Sequence, residues 1–225
     1  MNFLRKVQSK LGFFRSAATR YHLWYYQKRI WDTTTWIGVK TLKSPSDMWN
    51  YQEILTSLKP SLVIEFGTRF GGSALFFADV MRQIGNRFRL LSVDVDASNI
   101  SDRTRSDPDV ELLTLSSVDP RVAERIATLR REYPGPVFAI LDSDHAEAHV
   151  FAEMQSLRAV LVPGDYLIVE DTNVNGHPVY ASHGAGPFEA MDKYFQAHPD
   201  DYRRDDAREA KFGFTFATKG FLIRR

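Results

Sequence analysis

The sequence predicts an α/β domain of the doubly wound, Rossmann-like kind, with a mostly parallel sheet and a C-terminal hairpin. Three observations predict it. Short apolar runs recur from residue 62 onward, they are continuous rather than alternating, and the intervals between them leave room for helices. A strand that is apolar on both faces is buried on both faces, the situation of a parallel sheet between two layers of helix. An acidic residue ends or follows four of the runs, and in such sheets ligands sit outside the carboxyl ends of the strands.

Taken in order, residues 1–33 stand apart in composition. Lys, Arg and aromatic residues interleave, as in Phe13-Phe14-Arg15 and Tyr21-His22-Leu23-Trp24-Tyr25-Tyr26, and no acid precedes Asp32. This basic-aromatic extension reads as partly helical. It packs either on the domain or a second subunit, or it rests on an anionic membrane surface or polyanionic substrate. The remaining residues, 34–225, form the domain. Ser44-Pro45-Ser46-Asp47 opens a helix, with a capping serine, proline at the first helical position and an acid in the first turn; apolar spacing carries it to Leu58. The strands follow as Leu62–Glu65, Leu90–Asp94, Val110–Leu113, Val137–Leu141 and Tyr166–Val169, with helices expected over 72–84, 120–132 and 147–160. Phe212–Ala217 and Gly220–Ile223 read as the two arms of the closing hairpin.

Composition narrows the classes. With 29 basic and 28 acidic residues the net charge is +1, which gives no basic excess of the kind nucleic acid binding shows. The absence of cysteine excludes disulfides, thiolate zinc sites and a cysteine nucleophile. It also fits a reducing, cytoplasmic setting. No apolar stretch approaches the roughly 20 residues that span a bilayer, and the basic start Met1–Lys6 lacks the apolar run of a signal peptide.

After the first strand the chain reads Glu65-Phe66-Gly67-Thr68-Arg69-Phe70-Gly71-Gly72-Ser73 and enters a helix. The dinucleotide fingerprint G-x-G-x-x-G is not met, because Arg69 stands where the second glycine belongs. The form present, E-x-G-x-x-x-G-G, is the one that binds S-adenosylmethionine in many methyltransferases. A carboxylate at the strand end suits a cationic ligand better than phosphates. Gly67, Thr68, Gly72 and Ser73 are its loop residues. Asp94, at the end of the next strand, is placed to accept the ribose hydroxyls, with Asp96 as its alternative.

A second set of acids follows the fourth and fifth strands, in Leu141-Asp142-Ser143-Asp144-His145 and Val169-Glu170-Asp171-Thr172-Asn173. If those strands are neighbours, Asp142, Glu170 and Asp171 converge. Glu170 and Asp171 point to opposite faces within a strand, so they can share a ligand only where the strand gives way to a loop. Three carboxylates suit a hard, oxygen-preferring cation such as Mg2+. Such a cation lowers the pKa of a coordinated acceptor hydroxyl, and His145 is placed to take the proton as general base. His149 reads as a solvated helix residue, while His177 and His183 lie on the loop after Asp171.

These residues carry a resemblance. Trp36–Gly38, Leu62–Ser73, Leu141–His145, Val169–Tyr180 and Lys211–Phe216 make the chain resemble the cephalosporin hydroxylase family. That family includes the rhamnosyl and related sugar O-methyltransferases of natural-product and glycolipid pathways. The resemblance covers about residues 34–225 and leaves the extension out. It implies an S-adenosylmethionine- and Mg2+-dependent O-methyltransferase, often homo-oligomeric, acting on a hydroxyl of a sugar-bearing acceptor. Asp142, Glu170 and Asp171 are then the metal ligands and His145 the base. Glu65, Gly67 and Asp94 lie at the cofactor, with Asp142 also beside it. The resemblance favours Asp142 over Asp144 as ligand. Where many relatives have glycine this chain has Leu115, and the adenine contact falls at Ser117. Acceptor contacts are expected from residues 98–108 and 173–187. Two other readings remain at this stage. One is an iron hydroxylase with Asp142, His145 and His177 as ligands; the other is a non-catalytic subunit that binds a membrane or partner through residues 1–33.

Overall fold

A computed structural model describes residues 15–225, so the first part of the basic-aromatic extension, Phe13 and Phe14 included, lies outside the described residues. Helix α1 spans Ala17–Gln27, with Ser16 accepting a cap bond from the Thr19 amide. A two-stranded ribbon, β1 Thr35–Trp36 and β2 Val39–Lys40, leads into α2, Pro45–Leu58. Proline occupies the start of α2 as the sequence signal requires, because the amide it lacks has no partner in a first turn. The α/β alternation then runs β3 Leu62–Phe66, α3 Gly72–Ile84, β4 Arg89–Asp94, α4 Asp102–Arg105 and β5 Val110–Thr114. It continues α5 Pro120–Glu132, β6 Val137–Leu141, α6 Glu147–Arg158 and β7 Tyr166–Val169. The chain closes with α7 Pro187–Ala197, β8 Tyr202–Arg204, α8 Asp206–Ala210 and β9 Phe221–Arg224.

Seven strands form one sheet in the order β5-β4-β3-β6-β7-β9-β8. The first five are parallel, and β9 runs antiparallel to both β7 and β8. The continuous apolar runs are explained by two cores. Leu62, Ile64, Phe66, Val137, Ala139 and Leu141 face α5, α6 and α7, while Val63, Phe138 and Ile140 face α2 and α3. Alternate residues of each strand therefore enter different cores, and both faces are dry. Strand order reverses between β3 and β6, and this reversal opens the crevice in which a ligand fits.

The antiparallel pair at the C-terminus has an unexpected first arm. Strand β9 pairs with β8, Tyr202–Arg204, whereas residues 212–217 form a loop. The alternation Phe212-Gly213-Phe214-Thr215-Phe216 reads as a strand, yet its aromatic rings serve to hold α1. His22 stacks on Phe214 at 4.7 Å between centroids, and Tyr25 packs against Phe216 at 6.1 Å. Part of the extension therefore packs on the domain, with Tyr21 and Trp24 left facing outward. No helix among the described residues is long and apolar enough to cross a membrane.

Candidate active site

A cavity of about 770 Å³ lies at the carboxyl ends of the parallel strands. The loop after β3 forms its floor. Gly67 has φ +99°, and a Cβ there would stand 1.9 Å from the Asp142 carbonyl oxygen. At Gly72 a Cβ would stand 2.4 Å from the Lys40 carbonyl oxygen. Glycine is required at both positions, and the close approach it permits is to the protein's own backbone rather than to a ligand. Thr68 and Ser73 line the cavity, and the Thr68 hydroxyl bonds the Ser92 hydroxyl at 2.6 Å. Gly72 lies behind the cavity wall. So does Glu65, fully buried, which accepts a 2.5 Å bond from Ser92 Oγ and leaves its Oε1 without a partner. Burial pushes the Glu65 carboxyl up to about 7, against the pull of Lys43.

Asp94 ends β4 at the cavity wall. Its Oδ2 accepts the Arg69 amide at 2.8 Å and its Oδ1 accepts the Asp96 amide at 3.0 Å, which fixes the carboxylate while leaving it facing the cavity. Asp96 itself is exposed and does not line the cavity. Beyond Asp94, Ser117 follows β5 and reaches the same cavity. His149, expected to be solvated, also lines it, and its Nε2 lies 2.9 Å from the Ser117 hydroxyl. Helix α6 begins at Glu147, so its first turn turns His149 inward rather than out.

The other end holds charge. Asp142, His145 and Asp171 each offer a ligand atom within 4.8 Å of the others'. His145 Nε2 stands 3.1 Å from Asp171 Oδ2. Strand β7 ends at Val169, and Asp171 adopts a left-handed backbone with φ +52°. That turn separates two neighbouring acids: Asp171 faces His145, while Glu170 stays buried and accepts a 2.5 Å bond from the Tyr51 hydroxyl. Lys43, itself buried, is ion-paired with Asp142 and lies 3.3 Å from Glu170 Oε1. Asp144 caps the turn through the Ala146 amide at 2.9 Å and stays outside the cluster.

The electrostatics follow from burial. It pushes up the carboxyls of Asp142, Glu170 and Asp171, and it outweighs Lys43, which favours their charged forms. The Asp47 carboxyl, also buried and repelled by Glu170, is pushed up to about 7. Burial disfavours the Lys43 cation, but Asp142, Glu170 and Glu65 more than compensate and hold its pKa up. At His145 burial opposes the charged ring, yet Asp171 and Asp142 prevail and raise its pKa. One lysine thus faces a surplus of buried acids. A hard divalent cation would relieve that surplus, so the donor set fits one; Asp142 and Asp171 are free to hold it.

Four residues escaped sequence reasoning. Lys43 and Tyr51 act at the charged end, and Tyr26 and Trp31 of the extension line the cavity. A single lysine before a helix carries no local signal, and the aromatic residues of a basic segment read equally as surface. His177 is not in the cavity: its ring stacks on Phe188 at 3.7 Å and its Nε2 lies 3.0 Å from Glu189 Oε1. The two-histidine iron set of Asp142, His145 and His177 is therefore not assembled.

Comparison with known proteins gives concordant findings. Residues 28–225 match the family described as Rhamnosyl O-methyltransferase/CmcI. The rhamnosyl O-methyltransferase of Mycobacterium leprae (strain TN) is 58% identical over 210 residues, 93% of this chain and 91% of that protein. The protein of the same name in Mycobacterium tuberculosis (strain H37Rv) is 56% identical over 209 residues, 93% of this chain and 85% of that one. Among solved structures, CmcI with Mg and SAM is similar at a TM-score of 0.69 and 24% identity, covering 86% of this chain and 77% of that one. An O-methyltransferase from Bacillus cereus in complex with SAH gives 0.52 at 16% identity, covering 80% and 82%. At these identities the structural likeness is one of fold.

Proposed function

The chain belongs to the Rhamnosyl O-methyltransferase/CmcI family, and from that premise we propose that it transfers a methyl group from S-adenosylmethionine to a hydroxyl of a rhamnosyl or related sugar on a larger acceptor. The observation that carries the reading is a single cavity with a ribose-accepting carboxylate, Asp94, at one end and the Asp142, His145 and Asp171 group at the other. A cofactor anchored at Asp94 would share this cavity with that group.

Asp142 and Asp171 would hold Mg2+; Glu170, whose Oε1 is taken by Tyr51 and Lys43, has Oε2 to offer as a third ligand. When bound, the metal lowers the pKa of the acceptor hydroxyl and orients it. The chain's own residues do the rest. The His145 imidazole receives the hydroxyl proton, and Asp171, whose Oδ2 lies 3.1 Å from His145 Nε2, stabilises the imidazolium that results. The acceptor oxygen bonds the methyl carbon as the carbon–sulfur bond breaks, and its electron pair returns to sulfur to give S-adenosylhomocysteine. Lys43 favours the charged forms of Asp142 and Glu170 against the burial that opposes them. Tyr26, Trp31 and Tyr180 supply aromatic faces that suit a sugar ring and exclude water.

Incubation with labelled S-adenosylmethionine and a panel of rhamnosylated and other deoxysugar acceptors tests this, with product read as a mass gain of one methylene. Transfer that persists at full rate in EDTA, with no metal by elemental analysis, would falsify the metal role. The outward pair Tyr21 and Trp24 is where the extension would meet a second copy or a membrane surface. Solution mass and liposome flotation of Trp24→Ser decide between these.

A further inference from the structure

Glu153 lies on α6, fully buried, and is not among the residues that line the cavity. Its Oε1 accepts the Ser117 hydroxyl at 2.5 Å and the Ser143 hydroxyl at 2.5 Å. Both serines do line the cavity. A serine hydroxyl has one proton and two lone pairs. When that proton is spent on a carboxylate behind the wall, only lone pairs remain to face the cavity. The third neighbour agrees. Ser117 has no second proton to give, so His149 Nε2, 2.9 Å from Ser117 Oγ and 3.3 Å from Glu153 Oε1, is the protonated nitrogen and donates inward to this cluster. Ser143 then keeps both lone pairs and Ser117 one.

We propose that Glu153 is a positioning residue for cofactor recognition: by taking both serine protons it makes this end of the cavity accept hydrogen bonds only, and so selects a ligand that presents an amine there. The inference rests on the cofactor reading above. With ribose at Asp94 and sulfur directed toward His145, the group beyond the ribose on the β5 side is the base. The exocyclic amine of adenine offers two N–H donors to these oxygens. A base with a carbonyl in that place would set oxygen against lone pairs and leave them unpaired, which costs more than a missing bond.

The test is the ratio of dissociation constants for S-adenosylhomocysteine and S-inosylhomocysteine, which differ in the exocyclic amine replaced by a carbonyl and in the proton that N1 gains with it. Wild type should prefer the adenosyl compound by about tenfold or more, the equivalent of one to two hydrogen bonds. Glu153→Met, close in shape but unable to accept, frees both hydroxyls to donate, and the preference should fall toward unity. Glu153→Gln keeps an acceptor oxygen and should retain more of it. Ser143→Ala, a milder change, should weaken the adenosyl compound several-fold and leave the inosyl compound as tight or tighter, since an opposed oxygen is removed. A merely structural Glu153 would lower both affinities together. Full preference in Glu153→Met, or equal loss of both ligands in Ser143→Ala, overturns the proposal. Wild type that binds neither compound overturns instead the cofactor reading on which it rests.

Discussion

At the Ser117 end of the cavity one buried carboxylate, Glu153, has its Oε1 occupied by two hydroxyls, whereas at the Asp142 end the half-buried Asp142 and the buried Glu170 share one lysine. Both ends are buried and polar, yet they differ in what is left over. The first ties one carboxylate oxygen to neutral hydroxyls, which direct a ligand's orientation. The second gathers more carboxyls than cations, a donor set that favours a bound cation. On the proposed reading, recognition and chemistry fall to different parts of one cavity, which Asp94 also lines. Substitutions at the two ends should accordingly move different observables.

The largest effect falls at the charged end. Asp171→Ala removes both a proposed ligand and the partner of His145, so turnover should drop beyond the roughly 10²–10⁴-fold expected for loss of a general base alone. Initial rates against Mg2+ concentration should show partial recovery at high metal; loss of cofactor affinity instead would erase the division between the ends. His145→Ala comes next, at about 10²–10⁴-fold in turnover with cofactor affinity intact. The wild-type rate should rise with pH through a midpoint above 6.5, because the base must be neutral and the neighbouring acids raise its pKa. The variant should lose that midpoint and respond only to bulk hydroxide.

Asp94→Ala sharpens the comparison from the other side. Cofactor should bind about 10–100-fold more weakly, the loss of hydrogen bonds to a charged acceptor, while turnover at saturating cofactor stays near wild type. Calorimetric titration and saturation kinetics together check it. The smallest effect concerns a buried contact between α1 and the loop after β7. His22 Nε2 lies 2.9 Å from Asn173 Nδ2, where the amide donates to a neutral ring, and burial lowers the His22 pKa to about 4. Below pH 6.5 the unfolded chain takes up a proton that the folded chain refuses, so stability should fall as pH drops from 6.5 toward 4. Melting temperature should decline over that window by up to roughly 10 °C, at about 1.36 kcal/mol per pH unit and about 2–4 °C per kcal/mol for a chain of this size. His22→Gln, which keeps an acceptor, should flatten the slope.

Much of the sheet was legible because its signals are local. Leu62–Phe66 and Val137–Leu141 are apolar at every position but Glu65, and each alternates between two cores, so the run itself marks a doubly covered strand. Asp94 and Asp142 were legible as candidates because they end such runs. Glu170 and Asp171 were legible as a pair, but their divergence depends on the left-handed backbone at Asp171, which no residue type at that place announces. Lys43 meets Asp142 across 99 residues, and Glu153 looks like any acid on a helix until two serines from different loops arrive at one of its oxygens. The aromatic run 212–216 misled for a related reason: its alternation is genuine, but it is used against α1 rather than against a strand.

The contact between Gly67 and the Asp142 carbonyl has a mechanical consequence. The loop after β3 and the chain that carries Asp142 lean directly on one another, with no room for even a methyl group between them. On the proposed reading the gap that the methyl crosses would thus be gauged by main chain, the stiffest material in the molecule. Widening it through Gly67→Ala would shift donor and acceptor apart together, so both affinities could survive while the reaction is lost to distance alone.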